Sequence, residues 1–250
     1  MATRSGGRPR PTVLPVALSL PKLILLVALA LALLTAAAFA TSQLLLNRET
    51  TRSTIQRHVD AIVIQSDAGD VRLVGGRSDQ VMLTEKRTWL FDAPKVRVTV
   101  DHDTLRLRAE CPGARVPDRC TVDFELQVPF DVDTTVQGGA GDIHVDGVAG
   151  HVQIKTDAGN VSGQHLHAVS VDARTQAGDA NFAFDTKPVS VRTSSDVGDI
   201  TIEVPTGDYR VDTATKAGDV NISGLLRNDH ALRSIGAQTS AGDVTVRGLP

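Results

Sequence analysis

The residues whose type and spacing could do chemistry are carboxylates in a short recurring unit: a small residue, Gly, Asp or Asn, then an apolar residue. It occurs as Ala140-Gly141-Asp142-Ile143, Ala158-Gly159-Asn160-Val161 and Ala177-Gly178-Asp179-Ala180. It continues as Val197-Gly198-Asp199-Ile200, Ala217-Gly218-Asp219-Val220 and Ala241-Gly242-Asp243-Val244, with an outlying copy at Ala68-Gly69-Asp70-Val71. The six clustered glycines are separated by 18, 19, 20, 20 and 24 residues. If successive repeats stack, the Asp and Asn residues form a column, and a carboxylate column could bind Ca²⁺ or a cationic surface. Gln137-Gly138-Gly139-Ala140-Gly141-Asp142 comes near the Ca²⁺-binding nonapeptide G-G-x-G-x-D, but Asp142 directly follows Gly141 and the other copies lack the double Gly. The plainer reading is conformational. Gly takes positive φ without a Cβ penalty, and Asp or Asn bonds its own backbone to fix a turn. No metal or cofactor is required.

Other candidate chemistry is thinner. Paired carboxylates would suit polysaccharide cleavage, yet catalysis needs one specialised site and not the same residue in every repeat. Ser195 and Ser240 lie near Gly-Asp units, but no G-x-S-x-G nucleophile elbow surrounds them. Among seven histidines, His165 and His167 alone have the spacing that puts two on one strand face, without a defined third ligand. Asn160-Val161-Ser162 and Asn221-Ile222-Ser223 match the glycosylation pattern at positions the repeat already explains. The expectation is a protein that is not an enzyme.

The elements that must position these residues begin with an export signal. Residues 1–22 hold Arg4, Arg8, Arg10 and Lys22 and no acid, and Leu23–Ala40 is an 18-residue run without charge that continues through Leu46. About 20 apolar residues span a ~30 Å hydrocarbon core, and the basic flank places the N-terminus in the cytoplasm. The organisation expected is a cytoplasmic tail over 1–22, a transmembrane signal anchor over 23–46, a polar linker over 47–58 and an extracytoplasmic repeat domain over 59–250. The alternative is a secreted protein cleaved near Ala40, after Ala38-Phe39-Ala40. Both readings export residues 48–250, so the lone pair Cys111 and Cys120 reads as a disulfide closing a surface loop.

Composition separates the two parts. Net charge is −3, but none of the 29 acidic residues and four of the 26 basic ones lie in 1–47, leaving 22 basic against 29 acidic and a net of −7 for the remainder. An acidic domain without a clustered basic footprint excludes nucleic acid as the main partner. Aromatics are 3% of the chain, so its core must be built from Val, Ile, Leu and Ala, which favours stacked strands.

Period-two alternation dominates after residue 58, as in Val96, Val98 and Val100 or Val122, Phe124, Leu126 and Val128. Asp101-His102-Asp103 looks like a hairpin turn. Twenty residues of strand would run ~66 Å, so each repeat must bend into two or three strands. Regular spacing favours an all-β solenoid of ~20-residue repeats, with aliphatic ladders stacked in its core. An antiparallel β-sandwich is the alternative, since Gly-Asp is also a hairpin signal.

The anchor, the long strands, the CPG…C segment followed by TVDFELQVP, and the serial AGDV and VGDI units together resemble a bacterial putative-adhesin family of unknown function with GD-repeat β-solenoid domains. The resemblance covers about residues 59–249 and implies no catalytic or binding residues. The expected function is non-catalytic adhesion or recognition of an unknown envelope or surface ligand. The alternative is a structural or signalling partner module of the envelope, and the open edge expected for such a partner is the C-terminal strand ending at Pro250.

Overall fold

The computed structural model describes residues 28–35, 46–113 and 119–250. Residues 28–35 are helical. Among the described residues no helix is long and apolar enough to cross a membrane, and the rest of the expected 23–46 span, the basic tail and the candidate cleavage site lie outside them.

Asn47–Pro250 is a compact unit built of strands. In chain order these are β1 (Asn47–Ile55), β2 (Ala61–Ala68), β3 (Val71–Gly76), β4 (Val81–Trp89), β5 (Lys95–Asp101), β6 (Thr104–Glu110) and β7 (Cys120–Pro129). The repeats follow as β8 (Asp133–Ala140), β9 (Ile143–Asp146), β10 (His151–Ala158), β11 (Val161–Leu166), β12 (Ser170–Ala177), β13 (Ala180–Phe184), β14 (Ser190–Val197) and β15 (Ile200–Pro205). The last are β16 (Asp208–Ala217), β17 (Val220–Ser223), β18 (Leu226–Arg227), β19 (Ser234–Ala241) and β20 (Val244–Leu249).

They form two ten-stranded sheets. Sheet A runs β1-β4-β7-β3-β9-β11-β13-β15-β20-β17, and sheet B runs β18-β16-β19-β14-β12-β10-β8-β2-β6-β5. Each repeat contributes one strand to sheet B, turns through its Gly-Asp unit, and contributes the next strand to sheet A. Within the repeats every pairing is parallel. The architecture is therefore a two-sheet solenoid, and the antiparallel sandwich is excluded. Antiparallel pairing is confined to the N-terminal end, where β4 joins β1 to β7 and β5 pairs with β6. The β5–β6 hairpin turns at Asp101-His102-Asp103 as expected, with φ of 44° at His102 and 59° at Asp103.

The stack departs from chain order at both ends. β2 and β3 lie between β6/β7 and β8/β9, so the outlying Gly69 copy is a spatial neighbour of the Gly141 copy. At the other end β16/β17 is the last full rung, with the short β18 beyond β16 on sheet B, and β19/β20 slots in beside β14/β15. The long final spacing holds the return segment through β18. The expected open edge at the C-terminal strand is thereby corrected: β20 is paired on both sides, with β15 and β17. The 47–58 linker is corrected as well. Its first nine residues form β1, which pairs with β4 over its whole length; polar side chains are no obstacle at an edge where backbone bonds do the holding.

Between the sheets, like residues stack. One internal row reads Leu105, Ile62, Thr134, Val152, Val171, Val191 and Ile235 from strand to strand of sheet B, all buried. Each buried Val, Ile or Leu contributes roughly 1.5–3 kcal/mol of transfer free energy. In one row a ring enters where its neighbour makes room. Phe182 stacks on Gly163, and a Cβ on Gly163 would lie 2.7 Å from the Phe182 ring.

Candidate functional site

The Gly-Asp turns lie along one edge of the solenoid. Their seven glycines have φ between +121° and +145°, where an L side chain is strained. Stacking forbids one in any case: a Cβ on Gly178 would sit 2.1 Å from the carbonyl oxygen of Gly159. In spatial order the column is Gly69, Gly141, Gly159, Gly178, Gly198, Gly242 and Gly218.

The acids beside these glycines bond between turns. The backbone N–H of Asp142 donates to Asp70 Oδ1, that of Asn160 to Asp142, and that of Asp179 to Asn160. The run goes on from Asp199 to Asp179, from Asp243 to Asp199 and from Asp219 to Asp243, all at 2.8–2.9 Å. Each side chain but that of Asp219, the last, thus accepts from the next rung's backbone, so the column is a hydrogen-bond ladder along the stack; this corrects the expectation that the Asx side chain bonds its own turn. Asp70 N–H donates to Asp123 Oδ1 at 3.0 Å, which makes Asp123 its first member. No Gly-Asp unit marks Asp123; the register Val71↔Phe124 alone places it beside Asp70. Among the described residues no group of three or more His, Cys, Asp or Glu is arranged to hold a metal ion.

A second column lies three residues before the glycines. Thr175, Ser195, Thr239 and Thr215 donate to the carbonyls of Gly159, Gly178, Gly198 and Gly242 at 2.9–3.2 Å. The signal was present in the sequence as a Ser or Thr at that offset in six copies, with Gly138 in its place in the seventh. The Cys111–Cys120 disulfide, Cα–Cα 5.8 Å, closes the corresponding turn of the outer rung, between β6 and β7. Cys111 N–H donates to Asp67 Oδ2 at 3.0 Å.

The structure separates the remaining candidates. A register shift between Gly163 and Leu166 and a positive φ of 48° at His165 send the histidine pair to different partners. His165 Nδ1 lies 3.0 Å from Asp146 and His167 Nε2 lies 3.7 Å from Asp185. His144 faces outward on sheet A with Nδ1 2.8 Å from Ser162 Oγ. Burial, then neighbouring Arg72, holds its pKa below the ordinary value, partly offset by Asp146. Tyr209 is buried in the core. Its hydroxyl donates to Pro205 O at 3.0 Å, and burial raises its pKa. Asn160, in the first glycosylation pattern, is committed to the ladder.

The outer faces carry rows of polar side chains in strand register. On sheet A one row runs Arg72, His144, Ser162 and Asn181. On sheet B one runs Arg108, Gln65, Gln137, Lys155, Arg174 and Ser194. The faces are shallow. Among the described residues, hollows of about 470 Å³ (among Arg52, Arg72, Met82, Glu125 and Gln127) and about 310 Å³ (among Arg72, Lys86, Asp123 and His144) lie on sheet A, and three lie on sheet B.

A two-sheet parallel solenoid, edged by a ladder of Gly-Asp turns and closed at one end by antiparallel strands, defines the class of protein. The chain belongs to the Toastrack DUF4097 family, whose model matches residues 56–247. Among solved structures it is similar to a putative cell adhesion protein from Clostridium sporogenes. That match has a TM-score of 0.51 and 10% identity, covering 81% of this chain and 100% of the other. It is also similar to a putative adhesin from Bacteroides fragilis, with a TM-score of 0.44 and 14% identity over 80% and 97% of the two chains. A putative lipid binding protein from Parabacteroides distasonis has a TM-score of 0.33 and 10% identity over 82% and 97%. At these identities the first likeness concerns the fold, and the other two carry no argument. No curated protein matches the chain.

Proposed function

We propose that the chain is a membrane-anchored, extracytoplasmic and non-catalytic recognition protein of a bacterial cell envelope. In this reading its solenoid faces bind a component of a cell surface. The observation that carries the proposal is the in-register repetition of polar side chains on the outer faces, such as Arg108, Gln65, Gln137, Lys155 and Arg174 across sheet B. A row repeating at the ~4.8 Å strand spacing presents similar hydrogen-bonding groups at regular intervals, which suits a repetitive polymer. The apolar run over Leu23–Leu46 supports tethering, and the Cys111–Cys120 disulfide supports an oxidising compartment. The cell-adhesion name of the Clostridium sporogenes neighbour agrees with this reading.

The test uses the full chain in liposomes, applied to a glycan array and to intact cells. Binding to a defined glycan set or cell type is expected; no binding in either assay overturns the proposal. Protease added to intact cells should degrade the solenoid, and full protection would refute its extracytoplasmic placement.

The second reading, a structural or signalling partner module, is favoured by the terminal rung. Val220 is 44% and Leu226 62% exposed there, and β17 has a free edge. Crosslinks from intact cells that join this rung to one envelope protein would support it over glycan recognition.

A further inference from the structure

Gly236 lies in the middle of β19 on the outer face of sheet B. The row it belongs to reads Val63, Thr135, Gln153, Asp172, Arg192, Gly236 and Asp212 from strand to strand. Six strands present a side chain there and the seventh presents none. Glycine inside a strand costs conformational entropy and packs nothing; it marks a bulge, a close backbone approach or a place where a ligand comes near.

The first two causes are absent at Gly236. Its pairing with Arg192 on one side and Asp212 on the other runs without a register shift. Its φ lies outside the left-handed region, and an added Cβ would meet nothing nearer than the Val191 carbonyl oxygen at 3.8 Å. Gly139, on the same face, is different: a Cβ there would lie 2.4 Å from the Asp67 carbonyl oxygen, so close packing requires the glycine.

The missing side chain leaves a hollow of about 260 Å³, lined by Arg174, Arg192, Ser194, Asp212 and Gln238. It adjoins a second of about 200 Å³ that shares Arg192 and Asp212 and adds Arg210 and Ser234. Arg174 has Asp172 at 3.5 Å. Among the described residues Arg192, Arg210 and Asp212 have no ion-pair partner. Arg192 and Asp212 stand on either side of the glycine with backbones two strand spacings (about 10 Å) apart, and neither turns toward the other to pair. Three guanidiniums against two carboxylates make the hollow locally positive on an acidic domain.

We propose that the hollow over Gly236 binds one anionic sugar residue of a surface glycan. Arg192 and Arg210 take its acid group, and Asp212 and Gln238 take its hydroxyls. A guanidinium fork matches a carboxylate or phosphate in two parallel hydrogen bonds, while a carboxylate and an amide suit vicinal hydroxyls. The proposal names a ligand class for the recognition surface and rests on that reading.

The test measures binding of trigalacturonate, glucose 6-phosphate and neutral maltotriose to the full chain in detergent by calorimetry, with thermal unfolding in parallel. Binding of one or both acidic probes without maltotriose is expected, and the stronger probe identifies the acid group. Arg192→Gln should weaken binding about tenfold or more, the equivalent of one charge-assisted hydrogen bond, with Tm unchanged. Gly236→Thr should abolish binding and raise Tm, because a β-branched side chain fits the strand and fills the hollow.

A Gly236→Thr variant with lowered Tm would show that the glycine is structural and would overturn the proposal. So would acidic-probe binding unchanged in both variants, or no acidic-probe binding by the native chain. If those failures accompany binding on a glycan array, the recognition reading stands and the site falls; a blank array and blank cells remove both.

Discussion

Asp179→Ala tests whether the turn acids hold the solenoid together through hydrogen bonds between rungs. Asp179 Oδ1 accepts the Asp199 N–H at 2.9 Å, and alanine leaves that donor to water. A hydrogen bond to a charged group contributes about 1.5–3 kcal/mol when shielded. This edge is exposed, so a loss of about 1 kcal/mol is the appropriate figure. For a domain of this size that lowers Tm by about 2–4 °C. Asp179→Asn should change Tm by less than about 1 °C, because Asn160 already serves in the same column by accepting the Asp179 N–H at 2.9 Å. Asp142→Ala combined with Asp199→Ala removes two bonds separated along the ladder, so the losses add to about 2 kcal/mol. Differential scanning calorimetry of the full chain, with and without millimolar calcium, reads all of these. Equal losses for Asp179→Ala and Asp179→Asn would show that charge, not the acceptor, is what matters. No loss for Asp179→Ala would show that water replaces the ladder without penalty. A calcium-dependent rise in Tm that the alanine variants lack would show that the column coordinates metal.

Reduction of Cys111–Cys120, or its replacement by serines, should cost roughly 2.5–3 kcal/mol by loop-closure entropy for a loop of ~10 residues; unchanged denaturation on adding a reductant would contradict this. His144 should titrate below 6.5, and Arg72→Ala should raise its midpoint only in part, since burial is the larger cause; NMR titration reads both. Its folded pKa is below the unfolded one, so the unfolded chain binds the extra proton first. The contribution of His144 to stability therefore falls as pH drops below about 6.5, and a melting curve flat or rising toward acid in Arg72→Ala relative to the parent identifies the Arg72 share. Tyr209→Phe removes the buried bond to Pro205 O and should cost about 1 kcal/mol in urea unfolding; a neutral result would mean that the carbonyl finds another donor.

The turns were legible from the sequence because their chemistry is local. Gly at φ near +140° and the Asx beside it belong to one four-residue stretch, so each copy announces itself wherever it lies, although the bond its Asx side chain makes is to another rung. The aliphatic rows were legible for the same reason, as alternation in Val122-Phe124-Leu126 or Ile200-Ile202-Val204 shows which side is buried; the same alternation in Val96-Val98-Val100 misleads, because β5 is an edge strand and Val98 is exposed. The β1 strand was not, because Arg48, Glu49, Thr50 and Thr51 carry no apolar pattern and are ordered by backbone bonds to β4. Asp123 was not, because it joins the ladder through the register of β3 with β7.

The sequence by itself therefore determined the repeat, the place of its glycine turns, the aliphatic composition of the core and the cysteine pair; that the Asx side chains bond from rung to rung was decided by stacking. Tertiary structure alone decided the order of the rungs, because equivalent repeats offer the same edges and local chemistry cannot say which neighbour each will meet. That order puts Gly69 beside Gly141, and Gly242 between Gly198 and Gly218. It also sets Arg192 and Asp212 on either side of Gly236. Parallel strands bond across space to whatever the return segments bring alongside, and burial of the shared core then fixes the register.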